Sequence, residues 1–301
     1  MKKIALLISL VLIFVLQSIS FASEDSMLND FKKENNLKLG NPIPLYNFNE
    51  DIVANCYQDI NGKGFVIKNT FNDDIVEYST ESANNQISKN KKNYYNGAMA
   101  VYDKKETRNL DFEIYGTNEF ELNQNASLNE RSVRGTKKLP YSLPNYSYNP
   151  NGICGSTASA MYLRYYDLHF NGKYVPKKLE SSNGVKLIKH LVKYIDKLGK
   201  GSKLGDLTGG LGRYLDKQGL YNHDVRYTKN IMGGIVGIIH DKKPYILGLH
   251  KYPKGNKTIE HWCTGFGFKD NSGTKSDYAI VRDGWGGTRN INVKYCDYVV
   301  Y

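Results

Sequence analysis

Cys154 stands where a turn gives way to a helix. Pro150-Asn151-Gly152 is a strong turn signal. The run that follows, Cys154 to Tyr166, places apolar Ala158, Met161, Tyr162 and Tyr165 at helical spacing. A thiol at a helix N-terminus meets the positive end of the dipole and unpaired backbone N–H groups, and both favour the thiolate. Small neighbours, Gly155 and Ser156, let a substrate backbone come close, and the same N–H groups can stabilise an oxyanion. A lone cysteine is more commonly a buried structural residue, so a nucleophile reading requires a base.

Six histidines are available: His169, His190, His223, His240, His250 and His261. His261 lies in the strand-like run Glu260-His261-Trp262-Cys263-Thr264-Gly265-Phe266-Gly267-Phe268. Alternation puts His261, Cys263 and Gly265 on one face, so His261 can look into a cleft while Trp262 packs away. His250 ends the preceding strand and is the rival. His190 rides a lysine-rich helix; His169, His223 and His240 sit near element ends and read as ordinary polar positions. A base needs an orienting group to fix its tautomer. Val281-Arg282-Asp283-Gly284-Trp285-Gly286-Gly287 offers Asp283 at a strand end one hairpin later, with Trp285 to shield an Asp–His hydrogen bond. The plainer reading is an Asp-Gly turn.

The elements that must position these groups fall into two regions. Residues 23–125 read as a small β-rich region, with strands around 51–54, 64–67 and 74–78 and a short helix near Met27 to Glu34. It has no histidine, which argues against its carrying the chemistry, and it is expected to be a prodomain. Residues 126–138 are polar, basic and without periodicity, and read as an exposed linker open to proteases. From 139 to 301 the pattern changes to helices followed by strands. Helices are expected at Cys154 to Tyr166, after Ser182 with Ile188, Leu191, Val192 and Ile195 as the stripe, at Leu207 to Gln218, and at Asn230 to His240. Strands follow at 245–250, 260–268, 277–283, 290–294 and 298–301. Helices first and antiparallel strands second indicate an α+β class.

Composition narrows the setting. Met1-Lys2-Lys3, an apolar run from Ile4 to Val15 and Ser20-Phe21-Ala22 form a secretory signal over residues 1–22. The run is short for a membrane span, so an exported protein without stable membrane insertion is expected, extracellular or associated with the cell wall. The net charge of +11 favours anionic surroundings without identifying a partner. Lys186, Lys189, Lys193 and Lys197 share one helical face and read as solvated. Cys56, Cys154, Cys263 and Cys296 fit no zinc spacing and are too few for a disulfide scaffold; no metal and no cofactor are expected. The runs Gly209-Gly210-Leu211-Gly212 and Gly233-Gly234-Ile235-Val236-Gly237 lack the strand-to-helix context and the lysine of a phosphate loop, so packing glycines are the better reading and no nucleic-acid partner is inferred.

Gly152-Ile153-Cys154-Gly155-Ser156-Thr157-Ala158-Ser159-Ala160-Met161 resembles the nucleophile segment of bacterial papain-like cysteine peptidases. The nearest branch by motif looks like the bacteriocin-leader-peptidase-like domains, in which a Cys-Gly-(Pro or Ser)-Thr-Ala run opens the central helix. The His261 strand ending in Gly-Phe-Gly-Phe is similar to the histidine strand of that branch. Asp283-Gly284-Trp285-Gly286 resembles the papain Asn-Ser-Trp-Gly motif with Asp for Asn, and the Gly-Trp-Gly-Gly ending is similar to streptopain. The resemblance covers about Leu139 to Tyr301. It implies a papain-like catalytic domain with Cys154, His261 and Asp283 as catalytic residues. One position departs from the pattern. The oxyanion glutamine expected a few residues before the cysteine is absent, Tyr148 stands six before it, and Asn149 or Asn151 can take the role. Residues 64–67 and 76–79 look somewhat like the β-rich propeptides of streptopain-type enzymes.

The reading implied is a secreted zymogen acting on protein or peptide substrates. Two alternatives stay open: an amidase or endopeptidase acting on cell-wall peptides, and a non-catalytic binding protein on a papain-like scaffold.

Overall fold

The computed structural model describes residues 28–47, 50–71, 74–95, 98–99, 101–102, 135–150, 152–196, 201–250, 259–271 and 276–301. The expected signal segment, residues 126–134 of the expected linker, Asn151 and Lys197 lie outside them.

The chain is a mixed α+β protein with five α-helices among the described residues and one large, mostly antiparallel sheet. The N-terminal part holds α1 (residues 28–35), then β1 (Ile43–Tyr46), β2 (Ile52–Gln58), β3 (Phe65–Asn69), β4 (Ile75–Ser79), β5 (Asn93–Tyr95) and β6 (Val101–Tyr102). β7 (Gly135–Lys138) follows, then α2 (Cys154–Tyr166), α3 (Val185–Leu191) and α4 (Leu204–Lys217). β8 (Tyr227–Thr228), α5 (Ile231–His240), β9 (Tyr245–His250), β10 (Ile259–Asp270), β11 (Tyr278–Arg282), β12 (Thr288–Asn292) and β13 (Cys296–Val300) complete the order.

The strands run β6-β5-β1-β2-β3-β4-β12-β11-β10-β9-β13-β8 across the sheet, with β7 paired to β10. The β4–β12 pairing, Tyr78 opposite Asn290 and Glu77 opposite Ile291, joins the N-terminal strands to the C-terminal ones. Residues 135–138 differ from the expected linker. They form β7 against Asp270 to Gly267, continuing the place that β9 vacates beyond Gly265. Gly-Thr-Lys-Lys is held by backbone hydrogen bonds and is largely exposed, so hydropathy carries no trace of it.

Alternation along the strands divides the interior. Ile246, Trp262 and Val300 face α2, α3 and α4, meeting Met161, Tyr162, Leu163, Leu187 and Leu211. Their neighbours Leu247, Cys263 and Val299 face the other way, onto Ile235, Ile238 and Ile239 of α5, in a core that continues to Leu45, Ile67 and Val76 of the N-terminal strands. A third cluster packs Leu28 and Phe31 of α1 onto Val66, Tyr78 and Tyr278. All four cysteines are free thiols, and Cys56, Cys263 and Cys296 are buried.

α2 is buried along nearly its whole length, which its small residues from Gly155 to Ala160 permit. It lies close to β10, where the Thr264 hydroxyl donates to the Ala158 carbonyl at 2.9 Å.

Candidate functional site

Cys154 is the first residue of α2, and the N-cap Ile153 offers no side-chain cap. A buried carboxylate supplies it: Asp196 accepts from the Ser156 backbone N–H at 2.7 Å and from its hydroxyl at 2.5 Å. Gly155 between them has no room for a side chain, since a Cβ there would overlap the Ser202 hydroxyl. Backbone N–H groups of Trp262, Gly155 and Cys154 itself favour the thiolate. Burial and the Asp196 charge outweigh them and push the thiol up to about 12. This corrects the lowering expected from the helix start alone: desolvation of the thiolate is the larger effect. Trp262, one of these donors, follows His261 in the chain, so the Cys154 thiol lies near the strand of that histidine.

His261 is buried on β10, just past a register shift between Ile259 and His261. Its Nε2 lies 3.1 Å from the main-chain carbonyl oxygen of Asp283. A carbonyl can only accept, so Nε2 carries the proton and Nδ1 is the bare, basic nitrogen of the neutral ring. The Trp285 ring stacks on the imidazole with centroids 4.6 Å apart and planes 14° apart. Burial pushes the His261 pKa down to about 4, against the opposing pull of Asp283. The ground state is therefore a neutral thiol and a neutral imidazole.

Asp283 acts on His261 through its backbone, and its carboxylate is occupied elsewhere. Oδ1 accepts from the N–H groups of Trp285 and Gly287, both at 2.8 Å, and Oδ2 from Arg289 Nε at 2.9 Å. Burial alone would raise this carboxyl, but Arg289 and the two N–H donors hold it below its usual range. The turn is closed further by Asn145, which donates to the Gly286 carbonyl at 2.7 Å. Gly284 sits at φ +83°, and a Cβ there would fall 2.9 Å from Asn149 Nδ2.

Asn149, on the loop before α2, thus reaches the same turn. Its Nδ2 is buried with no hydrogen-bond partner among the described residues, an unusual state for an amide donor. Cys154, His261, Asp283, Trp285 and Asn149 are brought together; Asn151 lies outside the described residues. The remaining histidines are elsewhere. His223 sits between the Tyr162 and Tyr174 hydroxyls, His169 stacks on Tyr141, His190 packs against Tyr194 and His240 contacts Lys137. Of the side chain of His250 nothing is described.

Nothing in the sequence places Asp196 and Ser202 near Cys154 or Arg289 with Glu77 behind Asp283. The Ser202 hydroxyl lies near enough to favour the charged Asp196, yet neither it nor Asp196 Oδ1 makes a well-formed hydrogen bond. Among the described residues no group of three His, Cys, Asp or Glu is arranged to hold a metal ion, and no helix is long and apolar enough to cross a membrane. No protein-family model matches the chain, and no curated protein matches it.

Proposed function

We propose that this chain is an exported cysteine-type peptidase with a papain-like arrangement of nucleophile and base. The observation that carries the reading is the His261–Asp283 carbonyl contact under the Trp285 ring, which leaves Nδ1 free as the base, with the backbone N–H of the next residue, Trp262, among the groups that favour the Cys154 thiolate. Such an arrangement suits acyl transfer.

In the proposed reaction, Nδ1 of His261 takes the thiol proton as Sγ of Cys154 bonds to the substrate carbonyl carbon. The oxyanion accepts from Asn149 Nδ2, which the ground state leaves without a partner, and from the N–H groups of Cys154 and Gly155 at the start of α2, the Ser156 N–H being held by Asp196. The imidazolium, favoured by the Asp283 charge, then gives its proton to the departing amine and the C–N bond breaks, leaving a thioester. A water loses its proton to Nδ1 while its oxygen attacks, and collapse releases the acid and restores the thiol. No cofactor enters these steps.

The +11 charge also suits an acidic polymer surface, which favours as a second reading the same chemistry on cell-wall peptides. Gels cast with casein or with cell wall separate the two substrates. Wild type should clear one of them and Cys154→Ala neither. Equal clearing by Cys154→Ala would remove the nucleophile assignment.

A further inference from the structure

Arg289 of β12 is buried in a position where its guanidinium faces two ways. Nε holds the Asp283 carboxylate at 2.9 Å, as described above. Its outer nitrogens turn to groups that all come from the N-terminal strands and the loop after them. Nη1 donates to Glu77 Oε2 at 3.1 Å, Nη2 donates to Gln86 Oε1 at 3.2 Å, and the guanidinium carbon lies 5.2 Å from the centre of the Phe65 ring. Glu77 is itself fully buried, and its second oxygen accepts the Met99 N–H at 3.0 Å. The β4–β12 pairing carries Glu77 and Arg289 on neighbouring strands.

We propose that Glu77, with Arg289, is a positioning residue for His261, so that the N-terminal region is a working part of the site. The inference rests on the peptidase reading. The connection is physical at each step. Glu77 and Gln86 fix the guanidinium. The guanidinium fixes the Asp283 carboxylate. The carboxylate, through the Trp285 and Gly287 N–H groups, fixes the turn. The turn holds the Asp283 carbonyl on Nε2 and the Trp285 ring on the imidazole. With Glu77 removed, Arg289 loses its ionic partner and the buried carboxylate of Asp283 loses a fixed donor. The imidazole then has no single orientation imposed on it. This assigns to residues before 102 a role opposite to that of an inhibitory cover.

The test compares wild type with Glu77→Ala and the isosteric Glu77→Gln, all full-length. Glu77→Ala should lower kcat about 100-fold, the scale of a misplacement of order 1 Å, with KM little changed. Glu77→Gln keeps the shape and an acceptor for Arg289, and should recover at least about tenfold of that loss. Nitrogen NMR of ring-labelled histidine supplies a readout independent of turnover. Wild type and Glu77→Gln should show His261 as the single Nε2-protonated tautomer, and Glu77→Ala a mixture. If Glu77→Ala does not fold, Arg289→Lys, which keeps the charge but cannot hold Asp283 and Glu77 through separate nitrogens, takes its place: wild-type kcat and a single tautomer in whichever of the two folds, with wild type active, would overturn the positioning role and leave the peptidase reading standing. A wild type that hydrolyses nothing and whose Cys154 resists peptidyl chloromethyl ketone would instead remove that reading, and this inference with it.

Discussion

The carboxylate of Asp283 places its lone pairs on Trp285 N–H, Gly287 N–H and Arg289, and Arg289 in turn uses each guanidinium nitrogen on an acceptor, buried for Asp283 and Glu77 and half-buried for Gln86. By contrast, Asn149 Nδ2, beside Gly284 of the same turn, is buried without a hydrogen-bond partner among the described residues. The two flanks of the site are thus built in opposite ways. In the proposed reaction a base must hold one orientation throughout, and the over-determined His261 flank suits that role. An oxyanion arrives only with substrate, so a donor reserved for it has no partner beforehand. A buried unsatisfied group costs about 1–3 kcal/mol, and that cost lies where binding can recover it.

The largest effect that would break this contrast belongs to Arg289. Arg289→Met leaves Glu77 and Asp283 buried without their cation, and should lower stability by about 3–5 kcal/mol in denaturant unfolding. A loss below about 1 kcal/mol would mean that the His261 flank is not held by charge.

Next in size is Asn149→Ala. Its Nδ2 has no hydrogen bond to lose among the described residues, so stability should stay within about 0.5 kcal/mol while kcat falls about 100- to 1000-fold. An unfolding penalty with unchanged kcat would make Asn149 a packing residue.

His261 gives a pH signature. Its folded pKa is depressed to about 4, while the unfolded ring titrates near 6.5. Between these values the unfolded chain binds the extra proton and the folded one does not, so stability falls as pH drops through that window, by about 3 kcal/mol in all. His261→Gln should flatten that part of the stability profile. A profile identical to wild type would show that the ring is not held neutral by burial.

The smallest expected change is at Asp196. Its charge raises the Cys154 thiol, so Asp196→Asn should speed alkylation of Cys154 by iodoacetamide at neutral pH by about tenfold, with burial still keeping most of the thiol protonated. Slower alkylation would reverse the sign of the Asp196 effect.

Much of this was legible in the sequence, for identifiable reasons. Cys154 announced itself through a turn followed at once by helical spacing, His261 through a strand that alternates, and Trp285 through its place in a Gly-rich turn after a strand. α2, β9 and the order of the later elements follow from the same periodicities. The use of Asp283 was not legible, because sequence names side chains, and here the main-chain carbonyl meets the imidazole. Asp196 lies 40 residues beyond Ser156, and nothing local links a carboxylate at the end of the Ile188, Leu191, Ile195 stripe to the start of another helix. Glu77 left a faint trace, as a charge inside the strand-like run Ile75-Val76-Glu77-Tyr78, whereas Arg289, between polar Thr288 and Asn290, left no trace. β7 left none, since its strand character comes from backbone pairing alone.

The central claim is that Cys154 is a nucleophile activated by His261, and one labelling experiment bears on it most directly. Full-length wild type and His261→Ala would be treated with a peptidyl chloromethyl ketone, and the modified residue mapped by mass spectrometry. A single adduct on Cys154 is expected in wild type and none in His261→Ala over the same time, with Cys56, Cys263 and Cys296 spared by their burial. Equal labelling of Cys154 in both proteins, or an unlabelled Cys154 in wild type, would contradict it.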